Sequence, residues 1–377
     1  MKINEFITKR KTTLIVTGIL TGIAITSLFL YIFSKYFPEI VTRYYSHGLF
    51  NIINLPGKWF SGLFHFSVGE ILLIVAAIAI VFLFILVVVK IILSIRRKNH
   101  KTRKYLFNSL VFIIIALDVT FTMFVWSGGF NYNGLTIAAQ MKYSDRDFSA
   151  NELYAMTLHY IEEANHVRLL LDESDNGVTV APYNFREMNQ RASEAYKNIP
   201  VKYNKLLAAG YYPEAKPALL SQWMCYTNIT GIYPYLIPES IINIKTPDFS
   251  KPSTLCHEMD HQRAIAKEDE ANFISFIACT SSTDNFFKYS GYYMAILNCL
   301  NSLYSVNYQL WTEAWELLSE GVKRDIKYSG EFWENYKTTV SEISENINDA
   351  YLKANNIKDG AKSYGRLTDL LLADYYS

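Results

Sequence analysis

Three long apolar runs mark the first third of the chain, at residues 12–34, 71–95 and 105–127. A helix needs about 20 apolar residues to cross the roughly 30 Å hydrocarbon layer of a bilayer, so each run predicts a transmembrane helix. The first run is longer than the apolar part of a signal peptide, and no small-residue cleavage site follows it. We therefore expect a membrane domain over residues 1–127 and a second domain over residues 128–377.

The basic residues around these runs predict the orientation in the membrane. Four Lys and Arg stand between Lys2 and Lys11 and six between Arg96 and Lys104, whereas residues 35–69 contain only three. Cytoplasmic flanks of membrane helices are enriched in Lys and Arg, so both clusters are expected in the cytoplasm. The sequence therefore predicts a multi-pass protein of the cell membrane whose N-terminus is cytoplasmic and whose residues 128–377 are extracytoplasmic.

The two parts of the chain carry opposite charge, which the overall net charge of +1 conceals. Residues 1–127 hold 14 Lys and Arg against 4 Asp and Glu, a net of +10, and the remaining residues hold 22 against 31, a net of −9. Binding to phosphate backbones needs an excess of Lys and Arg, so nucleic acid is not an expected partner of the acidic part. The lipid bilayer is the expected partner of the basic part, with the aromatic segment 35–69 lying in the membrane interface.

Residues 128–377 show mainly helical periodicity. Ser149 and Glu152 form a capping box that opens a helix of about 20 residues, and a second helix starts near Asn184 and ends at Pro200. Residues 230–245 are rich in Ile and Tyr but contain two prolines, which predicts an irregular or edge strand. Other helices are expected at about 218–226, 254–264, 268–281, 288–306, 308–325, 331–353 and 364–375. The predicted fold class is mainly α, with three transmembrane helices, a mostly helical outer domain and a small strand element.

Two features leave alternatives open. The four cysteines, Cys225, Cys256, Cys279 and Cys299, permit three disulfide connectivities, and free thiols buried in helices fit the sequence equally well. Asp118 lies inside the third apolar run, where a carboxyl group requires either a local partner or a wet cavity. The oligomeric state has no signature in the sequence.

One motif carries chemistry: His257-Glu258-Met259-Asp260-His261 has the pattern H-E-x-x-H. Residues four apart share a helical face, so both imidazoles reach one metal ion. Glu258 lies about 100° round the helix from His257, which places its carboxylate beside the metal. Zinc with three protein ligands and an open fourth position is typical of a catalytic site, where the Glu acts as general base.

The third ligand is expected in the acidic stretch that follows the motif. Glu268 and Asn272 are again four apart, so Glu268 is the predicted third ligand and Asn272 the residue that orients a ligand histidine. On one continuous helix, His261 and Glu268 would lie about 10 Å apart along the axis, too far to share an ion. The chain must therefore turn within residues 263–267, although no Gly or Pro marks the turn. Glu270 is the alternative ligand.

The sequence around the motif resembles that of bacterial membrane proteins grouped as domain of unknown function 3810. The resemblance rests on several short segments spread over most of the chain: Phe66-Ser67-Val68-Gly69-Glu70, Asn131-Tyr132, Gly231-Ile232-Tyr233, residues 256–263 and 268–273, Tyr289-Ser290-Gly291-Tyr292 and Ser363-Tyr364-Gly365-Arg366, with Glu239 and Asn243 retained in a segment that otherwise differs. This resemblance implies membrane spans followed by an outer zincin-like domain. It does not indicate a substrate.

More distantly, H-E-x-x-H followed by E-x-x-x-N is similar to the motif of gluzincin metallopeptidases. That similarity implies Zn²⁺ held by His257, His261 and Glu268, with Glu258 as the base. Gluzincins usually have a longer gap before the third ligand and Asp in place of Asn272. Tyr, His or Arg groups commonly stabilise the oxyanion; the candidates considered are Tyr289, Tyr292 and Tyr293.

The leading functional hypothesis is a membrane-anchored zinc metallopeptidase that hydrolyses peptide or protein substrates, with residues 230–245 binding the substrate backbone by strand addition. A zinc hydrolase of a non-peptide envelope amide needs the same activated water and is one alternative. A membrane scaffold or receptor with a structural or vestigial metal site is the other.

Overall fold

The computed structural model describes residues 10–96, 102–144, 146–355, 357 and 366–377. Helices dominate these residues and one small three-stranded sheet lies among them, so the predicted mainly α fold is confirmed. Some residues used in the predictions fall outside the described ranges: Lys2, Lys9, Arg97, Lys98 and Lys101 of the basic clusters, and Ser363, Tyr364 and Gly365 near the start of the last predicted helix.

The first third consists of long helices joined by shorter ones. In chain order they are α1 (Lys11–Ser34), α2 (Pro38–Ile40), a π-helix (Val41–Leu49), α3 (Phe50–Gly62), α4 (Val68–Arg96) and α5 (Thr102–Ser127). α1, α4 and α5 are long and apolar enough to cross a membrane, as the three apolar runs predict. The side of the membrane on which each end lies stays a prediction.

Asp118 has a local partner within the membrane helices. α1 packs along α5, and Thr21 Oγ1 donates a hydrogen bond of 2.5 Å to Asp118 Oδ2 across this contact. Nearer the C-terminal ends of the same two helices, Trp126 Nε1 donates to Ser27 Oγ at 3.0 Å. A paired carboxyl group between two helices favours a role in helix association over a polar path.

The segment between α1 and α4 has one face toward solvent or lipid and one face on the outer domain. Tyr44 and Trp59 are exposed, which suits the predicted interfacial location. Phe50 and Lys58 are fully buried, because α3 packs against residues that follow the third apolar helix. The segment is therefore also a bridge to the outer domain, which its aromatic composition does not indicate.

Residues 128–377, called the outer domain after their predicted location, form a set of helices around a short sheet. Its elements are a 3₁₀ turn (Gly129–Asn133), α6 (Ile137–Met141), α7 (Ala150–Arg168), α8 (Phe185–Asn198), α9 (Val201–Asn204), β1 (Lys216–Pro217), α10 (Ser221–Tyr226), β2 (Gly231–Ile232), β3 (Ile241–Ile242), a second 3₁₀ turn (Asp248–Ser250), α11 (Lys251–His261), α12 (Glu268–Thr280), α13 (Asn285–Val306), α14 (Tyr308–Glu316), α15 (Glu320–Glu334), α16 (Thr339–Ala354) and α17 (Leu367–Tyr375).

The polar caps explain where these helices start. Ser149 and Glu152 form the predicted reciprocal capping box of α7, and the Asn184 side chain accepts from two backbone amides at the start of α8. The predicted helices 308–325 and 331–353 are wrong as continuous helices. The Ser319 and Thr338 side chains each accept a backbone N–H and start new helices, α15 and α16, because an N-cap competes with helix continuation.

The sheet has the strand order β1-β3-β2. β3 is the central strand, parallel to β1 and antiparallel to β2, with Gly231 opposite Ile242. The predicted strand over 230–245 is thus two short strands, and its two prolines lie in their connection. Among the residues that the structure describes, β2 pairs with β3 alone and forms an edge of the sheet, as predicted for this segment.

The two larger of three buried apolar clusters among the described residues hold the chain together. The larger one surrounds α12, whose residues Ala271 to Cys279 are almost all buried, and includes Met156, Phe249 and Phe287. A second cluster joins the C-terminal ends of α1 and α5 to the rest of the chain through Tyr31, Val41, Tyr45, Phe50, Val125, Phe130, Tyr132, Tyr233, Tyr235, Ala266, Leu352 and Ile357. The division at residue 127 stays a prediction, and apolar side chains from both sides of it share this cluster.

Candidate metal centre

The H-E-x-x-H motif occupies the last turns of α11. Pro252 sits in the first turn, where its missing N–H leaves no helical hydrogen bond unmade. His257 and His261 lie one turn apart with ring centroids 4.8 Å from each other and ring planes nearly perpendicular. Both rings therefore project from one face of a helix, as the spacing predicts.

A tight turn ends α11 and starts α12. Ala264 adopts a left-handed conformation with φ of 72°, which is costly by about 1–2 kcal/mol for a residue with a Cβ. The amide of Ile265 donates to the Asp260 carbonyl at 3.2 Å and closes the turn. The predicted reversal within residues 263–267 is present, and a non-glycine residue makes it.

The reversal brings the third predicted ligand onto the two histidines. Glu268 Oε2 lies 3.0 Å from His257 Nε2 and 3.8 Å from His261 Nε2. One ligand atom from each of the three residues falls within 4.8 Å of the others, and these residues form a candidate metal-binding group. Two imidazoles and a carboxylate are a donor set that zinc accepts in catalytic sites.

The second ring nitrogen of each histidine has a defined partner. His257 Nδ1 lies 2.8 Å from Asn272 Oδ1, and His261 Nδ1 lies 2.7 Å from the Ile265 carbonyl. Both partners accept hydrogen bonds, so a neutral ring carries its proton on Nδ1 and turns the Nε2 lone pair toward Glu268. Asn272 thus occupies the orienting position expected for it, and Ile265, which the sequence does not single out, does the same for His261.

The electrostatics of the three residues favour a cation. Burial lowers the pKa of His257, but the hydrogen bond and charge of Glu268, with the charges of Glu258 and Asp260, outweigh it and raise this pKa to about 9. The pKa of His261 is lowered, chiefly by burial. Without a metal, a proton on His257 balances part of the charge of the buried carboxylates. A bound metal ion would take the place of that proton.

Glu258 is buried next to this group without a full set of hydrogen bonds. Its Oε2 atom has no hydrogen-bond partner in the described chain. Burial, followed by the charges of Glu268 and Asp260, raises the pKa of Glu258 to about 8. Such unpaired buried oxygens are rare in folded proteins, and a catalytic role is one explanation for them; Asp260 Oδ2 also has no partner in the described chain.

The edge strand β2 passes directly over Glu258. A Cβ atom added to Gly231 would lie 2.6 Å from Glu258 Oε1 and 2.7 Å from its Cγ. Real Cβ atoms do not approach other atoms so closely, so only glycine allows this spacing. A glycine at the start of a predicted strand is a sequence signal for such a close approach.

Asp260, inside the motif, holds the helix in place. The Tyr196 hydroxyl donates to Asp260 Oδ1 at 2.7 Å and lies 2.8 Å from the Cys256 carbonyl. The Arg263 guanidinium stacks over the Tyr196 ring, 3.7 Å from its centroid. Burial raises the pKa of Asp260 to about 8.

The structure places the remaining predicted residues elsewhere. Glu270 Oε1 accepts from the Ile137 amide at 2.9 Å and pairs with Lys267 at 3.5 Å, so Glu270 does not join the histidines. The Tyr289 hydroxyl donates to Asp325 in a buried network away from the motif, and Tyr292 packs on other rings. Among these tyrosines Tyr293 lines the cavity at the motif. All four cysteines are free and buried.

A cavity of about 1110 Å³ opens at the three predicted ligands. β2 and the residues after it form one wall, and α15 and α16 form another. Tyr132, Tyr235 and Tyr351 line it, and burial together with the charge of Glu268 raises the pKa of each hydroxyl. Tyr132 lies in one of the segments that carry the family resemblance, Asn131-Tyr132, whereas nothing among the 28 tyrosines of the sequence points to Tyr235 or Tyr351.

Two polar contacts fasten the motif helix and the sheet to the membrane side. Fully buried Glu239 accepts hydrogen bonds from Ser61 Oγ, Ser67 Oγ and the Gly69 amide at 2.6, 2.8 and 2.5 Å. Lys58 Nζ donates to the Gln262 carbonyl at the end of α11 at 2.8 Å, where the helix dipole favours a cation. Burial and the nearby Arg263 charge lower the pKa of Lys58 to about 7.

These features define a class: a mainly helical protein with three helices able to cross a membrane, followed by a candidate His-His-Glu metal centre. The chain belongs to the family described as protein of unknown function DUF3810, which matches residues 45–372. That match includes the motif, the edge strand, Glu239 and the second and third apolar helices. A search of curated proteins and a search of solved structures each found no match.

Proposed function

We propose that this protein is a membrane-anchored zinc metallopeptidase of gluzincin type. The observation that carries the proposal is the convergence of His257, His261 and Glu268 within 4.8 Å beside Glu258, whose Oε2 has no partner in the described chain. A structural metal site has a closed shell of four protein ligands, whereas this group supplies three.

The donor set fits zinc. Two imidazole nitrogens and one carboxylate oxygen are the ligands of many catalytic zinc ions, and both imidazoles are oriented by a second hydrogen bond. Zinc bound there would supply a Lewis acid and lower the pKa of a bound water toward neutrality.

Glu258 is the proposed general base. Burial raises the pKa of its carboxyl to about 8 in the metal-free site, and a zinc ion bound beside it would favour the ionised form that accepts a proton. Its unpaired oxygen is available to take a proton from the nucleophilic water and to deliver it to the departing amine nitrogen.

β2 is the proposed site for the substrate backbone. Its pairing with β3 leaves the other side of the strand without a ladder partner, and residues 229–236 line the cavity beside Glu258. An extended peptide laid along this edge would bring a carbonyl carbon next to Glu258, because Gly231 lies in contact with that carboxylate. The hydroxyls of Tyr132 and Tyr235, near Glu268, are the proposed O–H donors for the oxyanion.

The test uses the full-length protein in nanodiscs, loaded with zinc and offered a mixed peptide library read out by mass spectrometry. Wild-type protein should cleave library members, and Glu258→Gln should retain zinc while lowering the rate by at least about a hundredfold, since it removes the base. Undiminished cleavage by Glu258→Gln would overturn the role of Glu258.

The same assay, extended with an envelope-derived amide substrate, distinguishes the other functional hypotheses. Zinc-loaded protein that leaves every peptide intact but hydrolyses an envelope-derived amide would replace the peptidase assignment with an amidase. Zinc bound without hydrolysis of either class would favour the scaffold hypothesis. A reporter fused after Ser377 that is active only in the cytoplasm would contradict an outward-facing site.

A further inference from the structure

The cavity at the candidate metal centre continues to the membrane part of the chain. Besides the motif residues, its wall includes Thr120 and Phe124 of α5. Both lie within the apolar segment Tyr105–Ser127 that is able to cross a membrane. Thr120 is seven residues before the outer end of that segment, which corresponds to about 10 Å along a helix axis.

That depth is inside one leaflet. The hydrocarbon layer is roughly 30 Å thick, so each leaflet contributes about 15 Å. Trp126, one residue before the end of α5, is of the type found at the headgroup level, and Thr120 lies about 9 Å deeper. The cavity therefore has one end at the metal centre and one end at the height of acyl chains.

Apolar surface connects the two ends. The rings of Phe124, Tyr132, Tyr235 and Tyr351 form a contiguous wall with centroid distances of 6.0 to 6.5 Å between neighbours. On α5, Leu117 continues the Thr120–Phe124 face toward the membrane core and is 65% exposed. A lipid-facing helix surface thus runs without interruption into the wall of the cavity.

α16 provides the facing surface. Val340, Ile343 and Ile347 are spaced three and four residues apart on one side of the helix, and each is more than half exposed. Ile347 and Tyr351, on the same side, line the cavity. An exposed apolar stripe that ends in a cavity wall indicates a ligand with an apolar portion.

We infer that the substrate is an acylated peptide: its backbone lies along β2 at the metal centre, while its acyl chain lies against α5 in the outer leaflet. The hydrolytic part of this inference rests on the proposed function, whereas the binding of the chain does not. An acyl chain is favoured over a transmembrane helix on volume. A helix about 10–12 Å across occupies roughly 800–1,100 Å³ over the roughly 10 Å between Thr120 and the end of α5. That is nearly the whole cavity of about 1110 Å³, which must also hold the peptide backbone at the metal centre.

The geometry also limits where the cleaved bond lies. Tyr235, near Glu268, is 6.0 Å from Phe124 by ring centroids, and Thr120 lies about one helical turn below Phe124. The span from metal centre to leaflet is on the order of 15–20 Å, which is roughly five extended residues. We expect cleavage within about five residues of the acylated position.

Photo-cross-linking tests the binding of the chain without requiring hydrolysis. Full-length Glu258→Gln protein in nanodiscs is irradiated with a palmitoylated peptide that carries a diazirine at the end of its acyl chain. Adducts should map to residues 117–124 and 340–351, and the unlabelled acylated peptide should suppress them about tenfold better than the same peptide without the chain. Adducts spread evenly over all exposed apolar side chains, including those of α4, would overturn the inference.

Two matched variants separate specific binding from simple partitioning into lipid. Thr120→Trp fills the end of the cavity that faces the membrane. It should reduce the adduct yield, and the advantage of the acylated competitor over the unacylated one, about fivefold or more. Ile78→Trp, at a site of α4 that is 64% exposed, should leave both unchanged. Zinc content and the affinity for the unacylated peptide should be the same in both variants. If the acylated competitor outperforms the unacylated one equally in both variants, the inference is overturned.

The two proposals fail in different ways. Localised adducts without any hydrolysis by the wild-type protein would refute the peptidase assignment and leave the acyl site in place. Suppose instead that acylated and free peptides are cleaved equally well, at any distance between the acylated position and the cleaved bond. That result would refute the acyl site and leave the peptidase assignment in place. A peptide joined to an apolar 20-residue helix that competes as well as the acylated one would replace the acyl chain with a transmembrane anchor.

Discussion

Replacement of Gly231 by alanine tests the link between the edge strand and the base. The added Cβ would lie 2.6 Å from Glu258 Oε1, 2.7 Å from Cγ and 2.9 Å from Cδ. An ordinary van der Waals contact begins near 3.4 Å, so the carboxylate must move by about 0.8 Å or more. A displacement of about 1 Å at a reacting group lowers a rate by on the order of a hundredfold.

The same substitution should leave the metal centre intact. The three nearest atoms to the added Cβ all belong to Glu258, and none belongs to a predicted ligand. We therefore expect Gly231→Ala to keep its zinc, to unfold within a few degrees of the wild type and to lose about a hundredfold in kcat/KM.

The assay compares kcat/KM on one cleaved peptide with zinc content and thermal unfolding of the same samples. Gly330→Ala is the matched control, because a Cβ there meets no atom within 4 Å. Wild-type kcat/KM in Gly231→Ala would show that Glu258 is not constrained by β2, and loss of zinc would show that the strand supports the ligands instead.

Two further predictions concern the environment of the ligands. Asn272→Ala should weaken zinc binding about 10- to 100-fold without abolishing it, because the ligand His257 loses its orienting partner; competition with a chelator measures this, and unchanged affinity would contradict the role of Asn272. The raised pKa of His257, about 9 in the metal-free site, means that zinc must displace a proton below that pH, so affinity should increase as pH rises from 6 to 9 and level off above the pKa. Affinity that falls over this range would contradict the assignment.

Several parts of the fold follow from local sequence. The apolar runs predict α1, α4 and α5 because membrane-compatible length depends on composition alone. The starts of α7 and α8 follow from Ser149 and Asn184, whose side chains satisfy amides within one turn. The pairing of His257 and His261 in the candidate centre also follows from local sequence, because residues four apart share one face of a helix.

Other parts depend on contacts between distant residues. The left-handed Ala264 is held by the packing of α11 against α12, and no glycine announces it. Tyr132 and Tyr235 reach the cavity through the arrangement of the membrane helix ends, which single-sequence periodicity does not encode. The continuous helices expected at 308–325 and 331–353 are wrong. The apolar spacing continues through both regions, but the hydroxyls of Ser319 and Thr338 cap new helices and so interrupt the old ones.

The zinc content of the full-length protein and three variants shows whether the metal centre exists. We expect about one zinc per chain in the wild type, its loss in His257→Ala and Glu268→Gln, and its retention in Glu270→Gln, whose carboxylate faces Ile137 instead. Wild-type protein that stays free of zinc after incubation with the metal, or zinc that persists in Glu268→Gln and disappears in Glu270→Gln, would contradict the proposed metal centre.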